Sequence, residues 1–306
     1  MTASRLAIGV DLGGTRLRAA LVAEDGSILR RTETATLSAS GADAVLEQIE
    51  TLARQVARAA GARPVCGLGL CAPGPLDTEA GKALSTPTIA GFTDLPLRTL
   101  LAGRVPWPVL LENDAIAATY GEWRFGAGRG SNNLVYVTIS TGIGGGAVVD
   151  GRLLHGRKGM ATHFGHMIID PDGPVCSCGN RGCWEAFASG SALDRQARKS
   201  GYDNAENLFA AARTGDSTAI EIISTAANLL GVGLVNLLHL YSPEIMILGG
   251  GLAHGFDRLA GGIQDCIEST AMPPFRDVPV VAAGLAGNSG LIGIAAMVFD
   301  RQGNVS

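Results

Sequence analysis

The sequence predicts an α/β protein of two lobes with a cleft between them, an expectation that rests on three observations. The length of 306 residues suits two domains of about 150 residues each. Short apolar runs bounded by glycine alternate with stretches of helical period, as in sheets covered by helices. A strand, glycine turn, strand motif occurs twice, at Asp11–Thr15 and again at Ser140–Gly146, so the second half repeats the opening of the first.

Leu6–Val10 and Leu17–Val22 read as strands on either side of the first turn, and Ser27–Thr36 as a third, which together make an antiparallel meander. Apolar residues at Val45, Ile49, Leu52, Val56 and Ala59 place a helix over 42–60, ahead of a buried strand at Val65–Leu70. Val109–Glu112 is a further strand, and Asp114–Arg124 a helix whose amino end lies at Asn113-Asp114. The second cycle offers strands at Leu134–Ser140, Ala147–Asp150 and Arg152–Leu154, then helices at Leu193–Lys199, Glu206–Arg213 and Ser217–Leu240. Strand Glu244–Leu248, helix Phe256–Thr270, strand Val278–Ala282 and helix Leu291–Phe299 close the chain. No charged linker interrupts it, so a continuous hinge is expected near residues 112–130. Residues 1–115 are assigned to the first lobe, completed by the C-terminal helix at 290–306, and 116–289 to the second.

A net charge of −4 without a long Lys/Arg run argues against a nucleic-acid footprint, which needs a basic face. The N-terminus lacks a charged segment followed by a long apolar one, and no apolar run approaches the length of a membrane span, so a cytoplasmic protein is expected. The 43 glycines cluster at Gly13-Gly14, Gly142–Gly146 and Gly249–Gly251, where bare backbone can approach a ligand. Of six cysteines, Cys66, Cys71 and Cys266 lie in apolar or helical surroundings, while Cys176, Cys178 and Cys183 crowd one loop. In an unexported chain that favours a metal over disulfides.

The turn Asp11-Leu12-Gly13-Gly14-Thr15 offers backbone N–H groups and the Thr15 hydroxyl to a polyphosphate, with Asp11 placed to orient water around Mg²⁺. A tight hairpin explains the same residues equally well. Thr141, Gly142, Gly144 and Gly145 supply a second set of donors. Gly142-x-Gly144-x-x-Ala147 also fits the dinucleotide fingerprint, but a strand follows where that fingerprint needs a helix. There is neither a G-x-x-x-x-G-K-[ST] P-loop nor an H-R-D-type loop of a protein kinase. Gly250 and Gly251 follow a strand and precede a helix, a place for an adenosine or simply a closely packed helix entry.

Asp114 stands at a strand end, where ligands of open α/β sheets gather, and phosphoryl transfer to a hydroxyl needs such a carboxylate to accept the proton. Helix capping is the structural alternative for the Asn113-Asp114 pair. His166, Cys176, Cys178 and Cys183 offer an imidazole and three thiols in a Gly/Pro-rich loop, which fits a closed, structural Zn²⁺ site. Asn113, Asp114, His163, His166 and Glu185 form a set suited to the hydroxyl groups of a sugar, although a buried histidine is more often a satisfied core residue.

In order along the chain, Asp11–Thr15, Glu112-Asn113-Asp114, the Ser140–Gly146 turn and Gly165-His166 through Cys178-Gly179-Asn180-Arg181-Gly182-Cys183-Trp184-Glu185 resemble the ROK family of sugar kinases and repressors, within the hexokinase-actin-Hsp70 superfamily. The resemblance covers essentially the whole chain. It implies duplicated RNase-H-like lobes of the actin-like ATPase type, ATP and Mg²⁺ in the cleft, and Asp114 as base toward the 6-hydroxyl of a hexose. It also implies zinc on His166, Cys176, Cys178 and Cys183, sugar contacts from Gly74, Asn113, Asp114, His166 and Glu185, and a homodimer or homotetramer. Family glucokinases carry Glu where this chain has His163, and some bacterial N-acetylmannosamine kinases carry His there. Thr88 replaces an Asn of the family pattern on the sugar side. The substrate therefore stands open among glucose, N-acetylmannosamine and other amino-hexoses, and the donor between ATP and polyphosphate. The family's repressors carry a helix-turn-helix ahead of the first phosphate motif, for which ten residues before Asp11 leave no room, so a kinase is expected rather than a sugar-sensing regulator or a non-catalytic sugar-binding protein.

Overall fold

The computed structural model describes residues 5–86, 88–251 and 256–303. The chain forms two compact units, Met1–Gly130 with Leu153–Ala161 and Gly284–Ser306, and Ser131–Arg152 with Thr162–Ala283. Each is built around a five-stranded sheet.

In the first unit the turn at Gly13–Thr15 folds β1 (Leu6–Leu12) back on β2 (Arg16–Ala23), and β3 (Ile28–Ala35) extends the meander. Every residue of β1 is buried, because helices cover both its faces. Helix α1 (Ala42–Ala57) lays Val45, Leu46, Ile49, Leu52, Ala53 and Val56 on one face, and the last turn tightens into a 3₁₀ helix over Arg58–Ala60. Strand β4 (Val65–Ala72) returns parallel to β1. A small antiparallel sheet of β5 (Leu76–Asp77), β6 (Lys82–Ser85) and β7 (Thr93–Leu95) then leads to α2 (Leu97–Ala102). These pieces, too short for periodicity to mark, were not expected from the sequence. Strand β8 (Val109–Asn113), parallel to β4, completes the order β3-β2-β1-β4-β8 and runs directly into α3 (Asp114–Phe125).

The second unit repeats the plan with β9 (Leu134–Ile139), β10 (Ile143–Val149) and β11 (Arg152–Leu153). Its helices are α4 (Trp184–Ala188), α5 (Gly190–Lys199), α6 (Ala205–Arg213) and α7 (Ser217–Tyr241). Strand β12 (Ile245–Gly249), helix α8 (Phe256–Thr270) and strand β13 (Val280–Ala282) complete the order β11-β10-β9-β12-β13, the same meander plus two parallel strands. Helix α7, with 25 residues and mean hydropathy 1.6, is long and apolar enough to cross a membrane by those measures, contrary to the expectation from sequence. It packs against α4, α6 and α8, and its neighbours bury Ala226, Ala227, Leu230, Leu234 and Leu238 as a core helix.

Helix α9 (Ser289–Gly303) returns the chain to the first unit and lies on α3, β1 and β4. The approach is close: a Cβ at Gly293 would meet the Ala117 carbonyl oxygen at 1.8 Å, so only glycine fits. The boundary lies at Gly130 rather than residue 115, because α3 is buried against α9 and cannot leave the first sheet. Leu153–Ala161, expected in the second lobe, also belongs to the first unit, where Leu153 packs on the α3/α9 cluster and Lys158 pairs with Asp77 at 3.0 Å.

Glu122 on α3 secures the chain where it leaves and re-enters this unit. Its fully buried carboxylate accepts from Ala127 N (2.9 Å), Gly284 N (2.9 Å), Leu285 N (3.1 Å) and the Ser289 hydroxyl (2.6 Å). Glu122→Ala strands buried donors that cost about 1–3 kcal/mol each, so a loss on the order of 4 kcal/mol is expected by urea unfolding. A loss within about 0.5 kcal/mol, the usual range for surface substitutions, would show that other contacts hold these segments.

Candidate active site and metal centre

At the carboxyl ends of β1, β4 and β8, strand register sets Asp11 beside Cys71 and Cys71 beside Glu112, with Asn113 and Asp114 following. Asp11 is ion-paired to Arg18, its direct cross-strand partner on β2, and Arg18 also donates to the Gly287 carbonyl at 2.7 Å. In the adjoining turn the Gly13 N–H closes the hairpin on the Arg16 carbonyl at 2.8 Å, so this member of the expected phosphate donors serves the turn itself. Thr15 is tied by its carbonyl to Thr36 N at 3.0 Å. A Cβ on Gly14 would stand 2.9 Å from that of Thr88, which puts Thr88, expected at the sugar, against the Gly13–Thr15 turn. Gly74 lies in the loop after β4 and is joined to Pro75 by a cis peptide bond.

Asn113 is the N-cap of α3, its side-chain oxygen accepting from Ala115 N (3.0 Å) and Ile116 N (3.2 Å). The capping alternative is therefore correct for Asn113, and it also fixes Asp114 at the first helical position. Asp114 accepts from Ala115 N at 2.8 Å. Burial, reinforced by the Asp11 charge, pushes its pKa up to about 7, which suits a general base. Cys71 is buried between them, its thiol pushed well above the ordinary range first by burial and then by the charges of Asp11 and Asp114, so it is protonated and inert.

In the second unit the turn Ser140–Gly142 joins β9 to β10. The expectation assigned Gly144 and Gly145 to this turn, but both lie in β10, paired with Thr138 and Val137. Gly145 packs beneath Phe164, whose ring a Cβ would meet at 2.4 Å, so it serves packing rather than a phosphate. Thr141 and Gly142 remain at the turn. Gly250, in the left-handed region at φ 89°, follows β12 beside Ile139, so this glycine turn and the Thr141 turn share the carboxyl end of one sheet. Gly251 is exposed next to it.

Glu185, on the first turn of α4, accepts from Ile143 N at 2.9 Å and from the Ser177 hydroxyl at 3.4 Å. It braces the glycine turn as well as the cysteine loop. His163 and His166 stack with ring centroids 6.1 Å apart, and burial, with His166 adding to it, lowers the His163 pKa so that its imidazole is neutral at pH 7. The ligand atoms of His166, Cys176, Cys178 and Cys183 all lie within 4.8 Å of one another, with Cys178 Sγ 3.6 Å from Cys183 Sγ and Cys176 Sγ 3.8 Å from His166 Nδ1. A tetrahedral zinc with bonds of about 2.3 Å needs ligand separations near 3.8 Å, so the four donors fit that ion. Burial and the adjacent thiols push Cys183 up to about 12, crowding that a cation relieves.

Residues 7–301 match the ROK family model. The chain belongs to the ROK family. It is 38% identical to the glucokinase of Thermotoga maritima, over 97% of this chain and 98% of that one. It is 33% identical to the N-acetylmannosamine kinase of Yersinia pseudotuberculosis, over 94% of this chain and 96% of that one. The crystal structure of a ROK family glucokinase from Streptomyces griseus, in complex with glucose and AMPPNP, superposes with a TM-score of 0.83 at 34% identity, covering 96% of this chain and 99% of that one. The actin-like ATPase fold implied by the ROK motifs is thus the fold of the chain.

Glu112 and Arg18 are missing from the site expected from sequence. The signal for Glu112 was its place in the Glu112-Asn113-Asp114 run, while Arg18 becomes visible only once the hairpin register pairs it with Asp11.

A carboxyl group held near pKa 7 makes the ionised native state less stable, by on the order of 4 kcal/mol well above pH 7 for a group that titrates near 4 when unfolded. Because the folded pKa is raised, this penalty is absent below about pH 4, grows as pH rises from 4 to 7 and is complete above the folded value. Asp114→Asn should therefore be more resistant to urea than the parent at pH 8.5, with an advantage that fades on acidification and is gone near pH 4. Equal stability of the two proteins across that range would show Asp114 to be solvated normally.

Proposed function

We propose that Asp114 is the base of this ATP-dependent hexose kinase and that its substrate is a hexose or a 2-amino or 2-acylamino hexose. The single observation that carries the assignment of the base is a carboxylate at the β8 end with its pKa near 7, in a chain that matches glucokinases over nearly its full length. Asp114 takes the proton of the 6-hydroxyl as that oxygen attacks the γ-phosphorus of ATP. The bond from phosphorus to the β,γ-bridging oxygen breaks and ADP leaves. Asn113, capped onto α3, offers its amide nitrogen to a sugar hydroxyl and fixes the direction of the Asp114 side chain. Asp11, held by Arg18, would orient the water shell of a Mg²⁺ ion, which would supply charge neutralisation on the phosphates.

His166, Cys176, Cys178 and Cys183 would hold a zinc ion, which would order the loop that enters α4 and hence the Glu185 carboxylate. With four protein ligands its role is structural. His163 in place of the Glu of family glucokinases removes a strong acceptor of sugar hydroxyls and supports a nitrogen-bearing substituent on the substrate.

A coupled ADP-release assay over glucose, mannose, glucosamine, N-acetylglucosamine and N-acetylmannosamine tests the reading. One sugar should dominate, and Asp114→Asn should retain binding of that sugar while kcat falls by about 10²- to 10⁴-fold. His163→Glu should raise kcat/KM for glucose relative to N-acetylmannosamine by at least about tenfold, one hydrogen-bonding contact's worth. Full turnover by Asp114→Asn would remove the base, and an unchanged sugar ratio would remove His163 from specificity. Plasma emission should find about one zinc per chain, and a chelator that strips it should lower the unfolding temperature. Metal-free protein of unchanged stability would contradict a structural zinc.

A further inference from the structure

Glu112 is a nearly buried carboxylate, its side chain 4% exposed, one residue before Asn113 and two before the base. An unpartnered carboxylate in that position would be costly. One of its oxygens accepts from Asn113 N at 2.8 Å, and the other stands 3.2 Å from His155 Nε2. His155 lies far along the chain, in the Leu153–Ala161 segment that crosses back onto the first unit. That segment is fixed at several points: Thr78 N donates to the Lys158 carbonyl at 3.0 Å, Lys158 N to Glu79 at 3.3 Å, and Ala161 N to the His155 carbonyl at 2.9 Å. The imidazole is therefore delivered to Glu112 by a braced loop. It remains 47% exposed and open to exchange protons with solvent.

We propose that His155 is a positioning residue for phosphoryl transfer: as an imidazolium it holds the Glu112 carboxylate, and through the Glu112 bond to Asn113 N–H it fixes the strand end from which Asn113 and Asp114 project. The inference rests on the kinase reading given above. The groups that face His155 are Glu112 from β8, the Leu153 carbonyl on its own segment and, at longer range, Arg301 from α9. Glu112 dominates and raises the His155 pKa above its ordinary 6.5, against burial and Arg301, which lower it. A raised histidine pKa means the pairing is complete below pH 6.5 and is lost as pH rises through the folded value. The kinase should then lose kcat on the alkaline side as His155 deprotonates, opposite to the acid limb set by the base.

The test is a pH profile of kcat and KM for the parent, His155→Gln and His155→Arg. His155→Gln keeps a donor but no charge, and should lower kcat at pH 6.5 by about tenfold with both KM values changed less than about twofold, because a misplaced base costs rate rather than binding. His155→Arg carries a permanent charge, and should keep kcat within about threefold of the parent and extend it to higher pH. Both should abolish the alkaline limb. An NMR titration supplies a readout independent of turnover: the His155 pKa should fall in Glu112→Gln. Unaltered pH profiles in both variants, or a fall in unfolding temperature with kcat unchanged, would overturn the proposal. No sugar-dependent ADP release by the parent protein would instead overturn the kinase reading, while the NMR result would still report on the pair.

Discussion

The chemistry of the first unit depends on the parallel register of three buried strands. Asp11 on β1, Cys71 on β4 and Glu112 on β8 stand abreast because β4 pairs Cys71 with both neighbours. A slip of one residue in any strand would turn these side chains to the opposite face of the sheet. The slip is opposed by the cores above and below the sheet, one holding Ile8, Val10, Leu68 and Leu70, the other Ala7, Cys71, Leu110 and Ile294. Acidic groups at adjacent strand ends repel one another, and the structure answers each separately. Arg18 neutralises Asp11 from the hairpin, His155 meets Glu112 from the crossing loop, and Asp114 is left with a raised pKa. Among the described residues Asp114 is left without a cationic partner, the state that a general base would need.

Rigidity around that group comes from α3 and α9. The two helices approach through Gly121 and Gly293, and Glu122, one residue along α3, collects donors from the segments before and after the second unit. The helix that Asn113 caps at its amino end is thus anchored near its carboxyl end by its own buried carboxylate. This tie also explains why α3 belongs with the first sheet.

Much of this architecture was legible in the sequence, because the strands and helices are long enough for apolar periodicity and the repeated glycine turns betrayed the duplicated plan. Strands β9, β12 and helix α7 lie within a residue or so of where periodicity put them. The short β5–β7 sheet escaped, since two- to four-residue strands carry no period. Gly144–Gly146 misled for a different reason. Glycine in a strand looks like a turn until Phe164 is seen to lie across it. The candidate residues carried by local motifs, such as Asn113-Asp114 and the cysteine loop, could be named from the sequence. The partners that complete them were not, because Glu112 with His155 and Glu122 with Leu285 are contacts across long sequence separations that no local pattern announces.

Glu185 links the cysteine cluster to a distant glycine turn. Cys183 is both a candidate ligand and the residue from which α4 begins, and Trp184 seats that helix through its indole N–H on the Leu229 carbonyl at 2.9 Å. The next residue is Glu185, whose carboxylate receives the Ile143 N–H at the base of the Thr141-Gly142 turn. Gly142 leaves room for that carboxylate, since a Cβ there would meet Glu185 Oε2 at 2.3 Å. A metal held by Cys183 would therefore restrain the turn through two rigid steps, a buried tryptophan and a charged hydrogen bond. The spacing Cys183-Trp184-Glu185 leaves no slack in that path, so a zinc ion held by this loop would shape the backbone of the Thr141-Gly142 turn without offering a coordination position to a substrate.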